Sequence, residues 1–288
     1  MRLGRASLVL LLVALGCTPE DPPAPPPPPQ VSRPPEPPLP ALGEVKFREW
    51  SEVDDEKFLE LPAPATTDAL KWDFTLGNRF GYSFTESLSQ RMEREANGKK
   101  ALNTARERNS GVFEFVAGRD RTALAGSKIQ TVEGSVNDQP VDRASFAGKP
   151  ASVSECILTE EGGVESRRKE GLADSRMYFQ SLFALQPGKH DLSPGTITTR
   201  IGGYNKVGRY ECARLESEFE ILTDKPSEHI LLRGRVIGYF ALAERKFVRA
   251  SAAVATSSRG NALSKESVWI TSSLDAVTSY RVRLLDSR

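Results

Sequence analysis

The chain has 288 residues, with 39 Lys and Arg against 38 Asp and Glu, and 8% aromatic residues. This charge balance excludes the basic footprint of a nucleic-acid-binding protein, so we expect no nucleic-acid partner. Residues 42–288 are enough for one large or two small domains, and they contain no visible linker, so we expect a single globular domain.

The N-terminus has the pattern of a secretory signal. Arg2 and Arg5 precede an apolar run from Ala6 to Leu15, and small residues follow it up to Cys17. The run is about half of the roughly 20 residues that a bilayer-spanning helix needs. We therefore expect a cleaved signal and no retained transmembrane segment there.

The end of this run, Val13-Ala14-Leu15-Gly16-Cys17, resembles the bacterial lipobox. The resemblance implies that residues 1–16 are removed and that the Cys17 thiol and the new amino terminus are acylated. Several acyl chains give stable membrane binding, since each buried methylene adds about 0.8 kcal/mol. Thr18 follows Cys17, and under the enterobacterial sorting rule the absence of Asp there implies the outer membrane.

Residues 19–40 contain 13 of the 20 prolines and almost no apolar side chains, so they cannot form a core. Together with Cys17 they make residues 17–41 a polyproline spacer, whose reach is on the order of 70 Å at about 3.1 Å per residue. A stalk is the favoured interpretation. The alternative is a ligand for a proline-binding domain, because Pro34, Pro37 and Pro40 have PxxP spacing.

Two cysteines remain after Cys17, namely Cys156 and Cys212. Outside the cytoplasm such a pair can form a disulfide, and both lie in apparent strands. The alternative is two buried free thiols, because sequence does not show whether their Cα atoms come within about 7 Å.

Period-two alternation predicts strands in the first half of the domain. We expect an irregular lead-in at 44–62 with one helical turn near Val53, where the acidic pair Asp54-Asp55 is typical of a helix N-terminus. After it we expect strands at Leu70–Leu76 and Phe80–Phe84 joined by Gly77-Asn78. The stretch Leu88–Met92 fits either a strand or a helix. We expect a solvated strand end or loop at 93–109, and strands at 112–116, 122–132, 151–159 and 164–168.

The period changes at Asp174–Leu185, which predicts the one main helix, stopped by Pro187-Gly188. Its apolar stripe includes Met177, Phe179, Leu182 and Phe183. Such a stripe is either core or the lining of a hydrophobic ligand site.

Strands resume at 213–221, 230–242, 247–256, 267–271 and 277–285, with a turn at Ser257–Asn261. In the first of these, apolar and charged residues alternate, which predicts a strand buried on one side only. The fold class is therefore mainly β with minor α: a large antiparallel sheet, curved or a half-barrel, with one main helix.

Glycines and aromatic residues carry a second resemblance. The Phe-rich stretch before Pro187-Gly188, then Gly202-Gly203-Tyr204, Gly208, Tyr210 and Ala213 ahead of Gly234, Gly238 and Phe240, resembles a group of bacterial envelope lipoproteins that share a domain of unknown function. More distantly, many strands with one helix resemble the half-barrels of lipoprotein carriers, which is an analogy of fold alone.

No catalytic motif stands out. The two histidines, His190 and His229, have no partner at metal-ligand spacing, and no Gly-x-Ser-x-Gly or phosphate-binding glycine loop occurs. We expect no enzyme, no cofactor and no metal site. The favoured hypothesis is a structural or interaction module that meets an envelope partner, and the alternative is a carrier of a lipid or other hydrophobic ligand in a groove between sheet and helix.

Overall fold

The structure, a computed structural model, describes residues 34–65, 70–73, 75–117, 122–141, 154–158, 164–167, 187–191 and 195–285. These residues form one large antiparallel sheet of 13 strands and one helix of four residues. The predicted fold class is confirmed. Within the described ranges, no helix has the length and hydropathy of a membrane span.

The elements follow one another as α1 Trp50–Val53, β1 Leu59–Leu61, β2 Arg79–Ala96, β3 Lys99–Ala117, β4 Thr122–Val136, β5 Gln139–Pro140, β6 Ser154–Leu158, β7 Val164–Arg167, β8 Gly188–Asp191, β9 Thr196–Val207, β10 Tyr210–Lys225, β11 Glu228–Ala241, β12 Lys246–Leu263 and β13 Trp269–Leu284.

The order across the sheet is β1-β9-β10-β11-β12-β13-β2-β3-β4-β6-β7, while β5 pairs with β4 and β8 with β9. Consecutive strands mostly lie side by side as hairpins. The last strand, β13, pairs along its length with β2, so the two halves of the chain share one sheet. β1 and β7 end the described order.

The two faces of the sheet are both covered over much of their area. One, which we call the core face, carries a cluster that reaches from β9 to β3, with Tyr82, Phe84, Phe113, Leu215 and Phe240 at its centre. The other, which we call the strap face, has a second cluster with Cys212, Ile237 and Tyr239. Segment 36–58, called the strap below, lies on this second face.

The expected strand at Leu70–Leu76 is wrong, because the described part of this stretch has no strand. Trp72 is instead a buried plug at the edge of the core, with ring centroids 5.3 Å from Phe247 and 5.7 Å from Phe240. Alternating apolar residues here serve a loop that turns inward, and the pattern alone does not distinguish this from a strand.

The ambiguous stretch at Leu88–Met92 is a strand, and of the two alternatives at 93–109 the strand is right and the loop is wrong. The chain continues as strand to Ala96, turns at Asn97-Gly98, and returns from Lys99. Both turn residues have positive φ, 52° and 71°, as a tight hairpin of this twist requires. The polar side chains belong to a long hairpin and not to a loop.

The turn expected at Ser257–Asn261 is also wrong, because β12 runs through it to Leu263. The actual turn lies at 264–268, where Ser264 N–H donates to the Val268 carbonyl at 2.8 Å. Serine and glycine are typical of turns, but here Ser257 is buried in the sheet. The main helix expected at 174–185 lies outside the described residues.

Candidate interaction site on the strap face

The strap is held by arginines that project from the sheet. Arg259 Nε donates to the Ala41 carbonyl at 3.0 Å, and Arg233 Nη1 donates to the Val45 carbonyl at 2.7 Å. The strap has little regular structure, so its backbone carbonyls need partners of this kind when they pack against protein. Guanidinium groups supply several donors each and therefore suit the task.

Aromatic side chains of the strap lie against Arg235, a third arginine of this face. The guanidinium of Arg235 is 4.9 Å from the Trp50 ring centroid and 5.4 Å from that of Phe47. Its Nη1 also donates to the Arg48 carbonyl at 2.7 Å, and its Nε to Glu218 at 2.7 Å. Arg235 thus connects the backbone of the strap to the row of charged residues on β10.

A buried ion pair fixes the end of the strap. Asp54 lies 2.9 Å from Arg249, with 2% and 3% of the two side chains exposed. Glu56 contacts both Arg249 and Arg283, and Asp55 lies 3.0 Å from Arg281. The acidic residues near Val53 were expected to start a helical turn. They instead follow α1 and neutralise arginines of β12 and β13.

This covering explains why the one-sided burial expected for β10 is wrong. Glu216, on the charged side, is only 7% exposed and accepts hydrogen bonds and ion pairs from Arg200 and Arg214. On the same side, burial is the main cause that raises the pKa of Tyr239 above its usual range, and the charge of Asp54 adds to it. On this face, Glu216 and the Arg249–Asp54 pair are therefore charged groups that are buried together with a partner of opposite charge.

Beside the strap the same face has an open groove of about 380 Å³. Glu44 and Val45 of the strap form one side, and Asp138, in the turn between β4 and β5, lies on its lining as well. The rest of the lining comes from β12, β13, β2 and β3, including Ala255, Asp275, Val277, Ser89, Arg91, Thr104 and Arg106. The groove lies over four adjacent strands.

Strand register shows how the groove is built. One cross-strand row runs Arg233, Ala255, Val277, Ser89 and Arg106, each residue being the Cα partner of the next. Large cationic side chains therefore stand at both ends of the row, with small side chains between them. The strap occupies the Arg233 end, and the groove occupies the Arg106 end.

The neighbouring row repeats this pattern. Arg235 and Arg108 flank Ala253, Ser279 and Ser87, and the Cα partners beyond the two arginines are Glu218 and Glu133. Two columns of arginine thus border a floor of small side chains. Within the described part of the chain, Arg91, Arg106 and Arg108 have no hydrogen bond or ion pair, whereas Arg233 and Arg235 bind the strap.

The carboxylate of Asp275 is the charged group most firmly placed in the groove. It accepts hydrogen bonds from Ser257 Oγ at 2.6 Å and Arg259 Nη1 at 3.0 Å. Burial opposes its ionisation, but these bonds and the charges of Arg259 and Arg91 outweigh burial and lower its pKa. Arg259 therefore already compensates the negative charge of Asp275.

The core face bears on the alternative of a hydrophobic ligand. Below the aromatic cluster, half-buried apolar side chains continue along the strands, namely Leu88, Met92, Leu232, Val254 and Leu274. The predicted ligand residues on the helix, Met177, Phe179, Leu182 and Phe183, lie outside the described residues.

The lipidation site and the cysteine pair have different outcomes. Cys17 lies outside the described residues. Cys212 is a buried free thiol in β10, and Cys156 is in β6, with its side chain outside the described part of the structure. Six strands separate β10 from β6 in the sheet order, and the pairing of the two cysteines remains a prediction.

Groups for acid–base or metal chemistry are not assembled in what the structure describes. His229 lies on β11, where its Nε2 is 2.9 Å from Asp224, a largely exposed side chain. The buried Tyr82 hydroxyl donates to the Phe247 carbonyl at 3.1 Å, and burial raises its pKa. No group of three or more His, Cys, Asp or Glu side chains among the described residues is placed to hold a metal.

Sequence reasoning missed the arginines. Arg233 and Arg235, like Arg281 and Arg283, recur at every second residue of a strand, which places each pair on one face. This spacing was a usable signal for a charged face. Nothing in it indicated that an acidic segment some 180 to 230 residues earlier in the chain covers that face.

Comparison with known proteins gives likenesses of shape alone. No family model matches the chain, and a search of curated proteins found no match. A structure of lipid–protein interactions in lipovitellin has 9% identity and a TM-score of 0.41, covering 74% of this chain and 25% of that one. This chain thus spans about a quarter of the lipovitellin chain.

Two bacterial structures are more remote. A DUF1329 family protein from Desulfovibrio piger has 10% identity and a TM-score of 0.17, covering 72% of this chain and 87% of that one. A putative outer membrane lipoprotein-sorting protein domain from Vibrio parahaemolyticus has 8% identity and a TM-score of 0.14, covering 71% and 86%. Likeness of this degree does not establish a family or a function.

Proposed function

We infer that the protein is a bacterial envelope lipoprotein, anchored through acyl chains on Cys17, most simply in the outer membrane. Its β-rich domain acts as a non-catalytic interaction module. The observation that supports this function is the strap, since the chain that leads from the proposed anchor is bound along the sheet and leaves an arginine-lined groove beside it.

The strap contacts begin where the domain begins. Asn261 Nδ2 donates to the Pro37 carbonyl at 2.7 Å, and the contacts continue through Ala41 and Val45 to Asp54. Tension on a tether attached before residue 36 would act first on this series of bonds and not on an edge strand. A partner in the groove would therefore be bound by a domain that is attached to the proposed anchor through the strap contacts.

Photo-crosslinking in living cells tests the interaction. A photoreactive amino acid at Thr104, inside the groove, should give a discrete adduct with an envelope protein. The matched control is the same amino acid at Arg94, an exposed residue of the adjacent strand β2 that lies outside the groove lining. Adducts of equal yield at both positions, or none at Thr104, would contradict the proposal.

A lipid or other hydrophobic ligand on the core face is the second candidate, supported by the half-buried apolar row from Leu88 to Leu274. A site for an acyl chain needs unfilled apolar volume, whereas the strap-face groove is bordered by charges. Mass spectrometry of organic extracts distinguishes the lipid carrier from the interaction module. The extracts come from the Cys17→Ser variant, purified without detergent from the soluble fraction. A stoichiometric lipid that is lost in Phe179→Asp or Phe183→Asp, with the fold intact, would favour the carrier.

A further inference from the structure

We propose that the groove beside the strap binds an extended, acidic polypeptide segment of a partner protein. This deepens the proposed function and rests on it. The strap itself shows how this face of the sheet binds an acidic chain without regular structure, because it is irregular outside α1 and rich in acidic residues, and its backbone carbonyls bond to arginines of the strands below.

The groove repeats the arrangement that holds the strap. At the strap end of one row, Arg233 donates to a backbone carbonyl, and at the other end of the same row stands Arg106. Arg108 has the same relation to Arg235 in the next row. The second arginine column therefore offers the donors that the first column uses, in the same order along parallel rows.

The floor admits a chain of this kind. In these two rows the side chains between the columns are no larger than valine, and β12 and β3 are three strand spacings apart, about 14 Å at the usual interstrand distance. A segment lying there would contact Val45 of the strap on one side and Arg91 and Arg106 on the other.

Charge selects an acidic segment. Of the acidic residues in the groove, Asp275 is bonded to Arg259, and Glu44 lies 3.0 Å from Lys46. Two arginines of the lining, Arg91 and Arg106, then face Asp138 as the remaining carboxylate. Arginine forms charge-assisted, bidentate hydrogen bonds with carboxylates, which favours Glu or Asp in the bound segment.

Fluorescence anisotropy with two labelled peptides tests this. One acetylated peptide alternates Glu and Val, and the other has Lys in place of Glu. The full-length protein in neutral detergent should bind the Glu peptide at least about tenfold more tightly, an effect of about 1.4 kcal/mol. The preference should weaken with added salt because exposed charges are screened.

Arg91→Gln together with Arg106→Gln should lower the affinity for the Glu peptide at least about tenfold, whereas Arg94→Gln, an exposed arginine of the same strand outside the groove lining, should leave it unchanged. Circular dichroism of each variant verifies the fold, and Arg106→Lys, which keeps the charge, provides a milder second variant.

Equal affinity for both peptides, or full affinity in the double variant, would overturn the inference. If crosslinking at Thr104 still captures a partner in that case, the interaction module stands and only its proposed ligand is wrong.

Discussion

Arg249 and Asp54 form an ion pair 2.9 Å long between strand β12 and the strap, with 3% and 2% of their side chains exposed. Their positions in the sequence are 195 residues apart. Because both charges are removed from water, Asp54 depends on Arg249 for compensation, while Arg249 is also compensated by Glu56. The pair thus fixes the strap to the sheet at a buried position.

Removing one partner of this pair should be costly. Arg249→Ala leaves Asp54 buried and uncompensated, and we expect the free energy of unfolding to fall by about 3–5 kcal/mol in urea denaturation. The double variant Arg249→Met with Asp54→Leu should lose less, since no lone charge remains. Arg79→Ala is the control, because its partner Glu114 and Arg79 itself are largely exposed, and it should cost under about 1 kcal/mol. Equal losses of unfolding free energy in Arg249→Ala and Arg79→Ala would contradict the buried ion pair between Arg249 and Asp54.

Gly234 on β11 lies directly against the Phe219 ring, and a Cβ there would stand 2.2 Å from Cζ. We expect Gly234→Ala to destabilise the domain by about 1–3 kcal/mol through overpacking. Gly260→Ala on β12 is the matched control, since its Cβ would meet Ser272 Oγ at an ordinary 3.6 Å. Thermal unfolding compares the two, and Phe219→Leu should rescue Gly234→Ala. A Gly234→Ala variant as stable as Gly260→Ala would show that this packing is wrong.

Much of the fold could be predicted because apolar and polar residues alternate along any strand that has one apolar face. The C-terminal strands beginning near Ala213 and Ile230 were found in this way. Alternation failed where a feature depended on distant residues. The inward turn of Trp72 and the burial of Ser257 follow from what packs against them, and local patterns carry no record of that.

The candidate site was less predictable than the fold. Asp54 and Asp55 were noticed in the sequence, but their arginine partners lie about 195 and 226 residues further along the chain. The groove depends on register, because a one-residue slip of β2 against β13 would send Arg91 to the other face. Register of that kind becomes visible only when all four strands are in place.

Asp275 should make stability depend on pH. Its folded-state pKa is lowered from 3.8, so its contribution is present above that value and is lost as pH falls through the folded pKa. Asp275→Asn lacks this contribution. The difference in unfolding free energy between wild type and Asp275→Asn should therefore be largest at neutral pH and should shrink below about pH 4. A difference that stays constant from neutral to acid pH would contradict the assigned hydrogen bonds.

Cys212 should react slowly as a thiol in the folded protein. Burial, with a further contribution from Glu244, raises its pKa to about 12, so little thiolate forms near neutral pH. In reduced protein, iodoacetamide should label Cys212 readily only after denaturation. Rapid labelling in the native protein would contradict its burial.

The predicted disulfide between Cys156 and Cys212 is checked by mass measurement after alkylation of denatured protein, with and without reductant. In protein isolated from the envelope we expect alkylation to require reductant. The bridge demands that the sheet bring β6 and β10 within about 7 Å between Cα atoms, although six strands lie between them in the ladder order. Two alkylated thiols without reductant would leave Cys212 as a free core residue.

Anchoring through acyl chains on Cys17 is the proposed link between the domain and the membrane, and Cys17→Ser tests it most directly. Wild-type protein should be found in the membrane fraction, with a mass that begins at an acylated Cys17. Cys17→Ser should leave the precursor unlipidated, and any domain that is exported should be in the soluble fraction. A wild-type protein that is already soluble and keeps an intact Met1 terminus would contradict the anchored interaction module.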